Sequence, residues 1–74
     1  MDWSKFDLAM TDPQYLSGEP VFKEEPRISV QTVLDNLEDG MTPEQIAKAW
    51  QIDLRLVAGV KQFAESQRLA HPVR

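Results

Sequence analysis

Arg55, Lys61 and Gln62 are the side chains whose types and spacing best fit a chemistry, and that chemistry is contact with nucleic acid. A planar arginine fork suits a guanine edge in the major groove. Lys61 and Gln62 follow one to two turns later and would reach phosphate or a base. Ala58 and Gly59 share the exposed face expected for that helix, and Thr42 and Lys48 stand upstream as candidates for backbone contacts. Other chemistries lack their groups. His71 is the single histidine, next to Pro72, and reads as a tail residue; there is no cysteine. That leaves neither a nucleophile–base pair nor a zinc site. Glu24 and Glu25 are adjacent, so their carboxylates diverge and read as a solvated loop. No catalytic residue, cofactor or metal is expected, and the chain does not read as an enzyme.

These residues need a helix-turn-helix to position them, and the stretch from Thr42 to Val60 has its pattern. Thr42-Pro43-Glu44-Gln45 is a capping box with proline at the first helical position, which sets one helix start. Asp53 caps a second helix eleven residues on. The first helix is expected to pack through Ile46 and Trp50, with small Ala47 where the helices cross. The turn buries Ile52, and the second helix returns Val57 and Val60 to the same core. Trp50 reads as a core plug at the crossing rather than a stacking platform. The second helix carries an apolar stripe of Leu56, Val57, Val60, Phe63 and Ala64. Gly59 in mid-helix costs about 1 kcal/mol relative to alanine. It marks either a close approach or surface drift, and drift is the expectation.

Charge is divided unevenly along the chain. The net charge of the 74 residues is −4. Residues 1–40 carry three cations against nine carboxylates, or −6, and residues 41–74 carry five against three, or +2. The helix-turn-helix half is thus mildly basic, which keeps a weak phosphate-binding face. The acidic half suits a basic protein partner. One core of this length only just outweighs chain entropy, so a second copy or a partner would help. No apolar run approaches the roughly 20 residues needed to cross a bilayer. Residues 1–5 lack the basic-then-apolar layout of a secretory signal, so a cytoplasmic protein without membrane contact is expected.

Residues 1–28 read as an extended arm and β-ribbon. Phe6, Leu8 and Met10 alternate with polar or small residues, the period of a half-buried strand. Trp3, Phe6 and Met10 could instead line a short helix; the strand is favoured. Asp12-Pro13 forms a turn. Gly18 opens a second extended segment through Val21 and Phe22, and a third ends at Arg27-Ile28 after the Glu24-Glu25-Pro26 corner. Pro20 and Pro26 keep these strands short or at an edge. A ribbon this small gains from pairing with a second copy, which makes Phe6, Leu8, Val21, Phe22, Arg27 and Ile28 the candidate dimer or partner surface. Ser29 then caps a helix with Val30, Val33, Leu34 and Leu37 on one face, and Gly40 stops it. The expected fold is α+β, mainly α, with an N-terminal β-ribbon followed by a three-helix, winged-helix-like helix-turn-helix domain. Residues 29–70 form the three-helix part, with the helix-turn-helix at 43–68, and 71–74 are a tail.

Three segments together carry a resemblance: Gly18-Glu19-Pro20-Val21-Phe22-Lys23, Arg27-Ile28-Ser29-Val30, and Gly40-Met41-Thr42-Pro43-Glu44-Gln45-Ile46. They resemble the small bacterial proteins of domain of unknown function family four-three-three. Their motif is like G-x-P-V-(I/F)-(K/R)-G-T-R-(I/V)-x-V, followed by a helix, a glycine stop and a helix-turn-helix. The resemblance spans roughly residues 10–66. It implies a dimeric antitoxin that represses its own promoter and binds a toxin, often a ribonuclease with a PIN-like domain. This sequence departs from the motif where Glu24-Glu25-Pro26 replaces Gly-Thr, turning a glycine turn into an acidic, proline-stiffened corner. Gln51 stands where many such turns place glycine, so a looser or shorter turn is expected there. Arg27 matches the motif arginine and is expected to pair with a neighbouring carboxylate. The functional expectation is therefore a homodimeric DNA-binding repressor of the antitoxin type. The alternative is a protein–protein adaptor with the same fold and no role on DNA.

Overall fold

The starts of the three helices and the stop of the first are set by residues within three positions of each end. The computed structural model describes residues 3–14 and 18–70, and the side chains of all these except 69 and 70. His71 and the 71–74 tail lie outside the described residues. Ser29 accepts the backbone N–H of Gln31 and Thr32 and opens α1, Val30–Glu38. Gly40, at φ +99°, closes it, with its N–H donated to Leu37 and that of Met41 to Asn36. This is the paired bonding of a Schellman stop. Thr42 and Gln45 bond reciprocally, at 3.1 and 2.9 Å, and start α2, Pro43–Trp50. Asp53 accepts the Arg55 N–H at 2.9 Å and caps α3, Leu54–Ala70.

Ahead of the helices lies a two-strand antiparallel ribbon, β1 at Ala9–Met10 and β2 at Val21–Phe22, in register Ala9 to Phe22 and Met10 to Val21. The strand expected across Phe6, Leu8 and Met10 is shorter than the alternation suggested. Trp3–Lys5 forms a 3₁₀ turn, and Phe6 donates its N–H to Trp3. An extended chain would send Trp3 and Phe6 to different places, whereas the turn brings both rings onto Phe63, with centroids 5.6 and 5.0 Å away. The Trp3 indole N–H also reaches Gln31 on α1, at 3.1 Å. The third extended segment is reduced to a single bridge from Val21 to Ser29. Two successive turns bend the chain there, from Phe22 to Glu25 and from Glu25 to Ile28. The Asp12-Pro13 turn is present, with Asp12 accepting the Gln14 N–H at 2.9 Å.

One core joins ribbon and helices. Trp3, Phe6 and Phe22 are buried together with Val30, Val33, Ile46, Val57 and Val60. Of the proposed ribbon surface, Phe6, Val21 and Phe22 therefore face inward rather than toward a second copy, while Leu8 and Ile28 are half-buried against the core. Deleting residues 1–28 would empty that core, so such a deletion would report folding before any partner contact.

The α2–α3 turn departs from expectation at both of its singled-out residues. Trp50 is 43% exposed and lies outside the core. Ile46, fully buried one turn earlier, and Ala47 fill the crossing instead. Trp50 is the last residue of α2, directly before the left-handed Gln51. Gln51 takes the left-handed conformation that glycine would favour, at φ 57° and ψ 46°, and the turn is neither looser nor shorter. The Ile52 N–H bonds to Ala47 at 3.0 Å and places Ile52 against the core. A non-glycine residue is strained in this region. Gln51→Gly should therefore raise stability by about 0.5 kcal/mol after the added freedom of the unfolded chain is counted. A thermal melt that shifts upward by roughly 2–4 °C checks this, and an unchanged or lower midpoint contradicts it.

Candidate nucleic-acid interface

Helix α3 supplies the surface on which the cationic residues stand. Leu56, Val57, Val60 and Ala64 are buried, Phe63 is half-buried, and Arg55, Lys61 and Gln62 are exposed. Ala58 lies among the exposed residues as a half-buried small side chain. Arg55 and Lys61 are six positions apart and so point on the order of 120° from each other around the helix. Arg55 leans toward the ribbon side. Lys61 instead lines a groove of about 330 Å³ between α1, α2 and α3, floored by Leu34, Leu37 and Met41. The Arg68–Glu38 ion pair, 2.9 Å long, joins two other residues of that groove.

Gly59 does not belong to the open face. A Cβ built there would meet Leu8 Cδ1 at 2.9 Å and Phe6 Cζ at 3.6 Å. The glycine therefore marks a close approach by the N-terminal arm, and the surface-drift reading is corrected. Its lack of a side chain lets Leu8 seat on α3. Thr42, the N-cap of α2, and Lys48 on α2 are exposed, and the Thr42 hydroxyl is already engaged in its capping box.

Arg55 is not free. Its Nη2 donates to Glu24 Oε1 at 2.6 Å, and its Nε lies 4.0 Å from Asp53 Oδ2. Both members of the Glu24 pair are half exposed (55% and 52%). The hydrogen bond and then the charge of Glu24 push the Arg55 pKa above its ordinary value, so the guanidinium stays charged. Arg27 pairs with Glu25 at 3.0 Å, as expected for this arginine, and its pKa is raised by that bond and charge. Among the described residues Lys48 and Lys61 have no carboxylate within ion-pair distance. Glu24 as the partner of Arg55 had no sequence signal, since the two are 31 positions apart. Leu54, 42% exposed at the start of α3, was also missed; with Trp50 at the end of α2 it leaves one large apolar side chain exposed on each side of the turn.

No group of metal-ligating side chains occurs among the described residues. Among them, too, no helix is long and apolar enough to cross a membrane. A two-strand ribbon packed onto three helices, mainly helical, defines the class as α+β. Residues 10–64 match the family described as Protein of unknown function (DUF433), and the chain belongs to that family. Comparison with curated proteins and with solved structures gives no match.

Proposed function

We propose that this chain is a DNA-binding transcriptional repressor of the antitoxin type, working as a homodimer on an operator of its own promoter. The observation that carries the reading is the N-terminal half of α3, where Arg55, Lys61 and Gln62 are exposed while Leu56, Val57 and Val60 are buried in the core. Such a helix enters the major groove by its N-terminal turns. Arg55 would read a base edge, Gln62 a base or phosphate, and Lys48, Lys61 and Thr42 would hold the backbone. The Glu24 contact does not prevent this, because exposed ion pairs are weak and are screened by salt. Few cations per copy argue for two half-sites read by a dimer. The antitoxin role, with a PIN-like ribonuclease as toxin, rests on the family resemblance and on the acidic excess of residues 1–40.

Binding of wild type and Arg55→Ala to DNA from the chain's own promoter region, titrated across salt and protein concentration, tests the reading. Wild type should bind with an affinity that falls as salt rises. Arg55→Ala should lose roughly tenfold in affinity for this DNA and less for an unrelated duplex, with the salt slope little changed. Wild type that shows no salt-dependent binding removes the reading. The adaptor alternative draws on a different observation, the exposed Trp50 at the end of α2, a residue type that anchors protein interfaces. It predicts a protein complex that Trp50→Ala weakens and DNA does not disturb.

A further inference from the structure

We propose that Glu24 is a built-in competitor for DNA, holding the Arg55 guanidinium so that the first turn of α3 meets a phosphate or a guanine only after this contact opens. The inference rests on the DNA reading above and concerns how that surface is regulated. An arginine fork binds carboxylate and phosphate with the same geometry, so Glu24 occupies the place a phosphate oxygen would take. The 2.6 Å contact closes between the ribbon corner and the start of α3, at the end of the helix that leads into a groove.

Glu24 is held there by its surroundings. Lys23 donates its N–H to Leu8 at 2.9 Å, Glu25 donates to Phe22 at 3.2 Å and Ile28 to Glu25 at 3.1 Å. Phe22, two positions before Glu24, is fully buried and anchors the corner to the core. Pro26 removes backbone freedom on the other side. Arg27 takes up Glu25, which leaves Glu24 to Arg55. At the other end, Asp53 caps the Arg55 backbone N–H and keeps a second carboxylate near the Nε. Lys48 and Lys61 carry no such clasp among the described residues, so within the proposed DNA surface the device acts on its one arginine.

Glu24→Ala tests this, alone and in an Arg55→Ala background. The Arg55 guanidinium is followed by nuclear magnetic resonance without DNA, and affinity is measured for a mixed-sequence duplex of about two helical turns. We expect rotation of the guanidinium to be restricted in wild type and free in Glu24→Ala. Affinity should rise roughly threefold to fivefold in Glu24→Ala. No rise should occur where Arg55 is absent. An equal rise in both backgrounds would mean plain charge repulsion and overturn the clasp. So would equal guanidinium freedom with and without Glu24, or unchanged affinity in a protein that binds DNA; in these cases the DNA reading stands. Absence of binding by wild type and Glu24→Ala alike, with the guanidinium freed, overturns the DNA reading and the clasp with it.

Discussion

Phe22→Ala is expected to unfold most of the protein at ambient temperature. Phe22 is fully buried on β2, in the cluster that holds Trp3, Phe6, Val30 and Val57. Removing a buried phenylalanine ring costs about 3–5 kcal/mol, from lost transfer energy and from the cavity left behind. A single core in a chain of this length supplies roughly the same amount. The ribbon has only two residues in each strand, so few ladder bonds remain to hold it once the ring is gone. Urea unfolding followed by far-ultraviolet circular dichroism checks this. A cooperative transition that loses less than about 1 kcal/mol would show that the helices stand without the ribbon.

Gly59→Leu should displace the N-terminal arm and cost about 1–3 kcal/mol, the range for overfilling a packed contact. The position has no room for branches beyond Cβ, because Leu8 Cδ1 and the Phe6 ring already lie against the α3 backbone. Gly59→Ala is the informative companion. Its single methyl meets the far end of a flexible leucine, and the gain of about 1 kcal/mol in helix propensity offsets the shift Leu8 must make. The alanine variant should therefore melt close to wild type and the leucine variant clearly lower. Amide chemical shifts of residues 3–10 should move only in the leucine variant. Equal melting of leucine and wild-type proteins would contradict the tight seating of the arm.

Local chemistry made much of this fold legible. Ser29, Gly40, the Thr42–Gln45 box and Asp53 each act on backbone groups no more than a few positions away, so residue identity and spacing identify the ends of α1, α2 and the start of α3. The apolar periodicity of α1 and α3 likewise found their buried faces. What escaped depended on partners distant in sequence. Periodicity placed Trp50 on the inner side of α2, yet in the folded chain it stays 43% exposed. The cost of Gly59 was visible, yet its cause, Leu8, lies some fifty positions earlier. Gln51 pointed to strain, and the chain accepts it because the Ile52 N–H gains Ala47 as an acceptor. The cations of the candidate surface were legible as types; that Arg55 is clasped and Lys61 turned to a groove was not. Trp3, Phe6 and Leu8 lie before the first residue matched by the family, so its pattern gives no account of them.

The two indoles of this chain sit in opposite surroundings, Trp3 at 7% exposure against Phe63 and Trp50 at 43% beside the turn. Indole emission moves to longer wavelengths where water can relax around the excited ring. The molecule thus carries a blue-emitting label that senses whether the arm is seated. A red-emitting one senses whatever lands at the helix junction, with no dye attached.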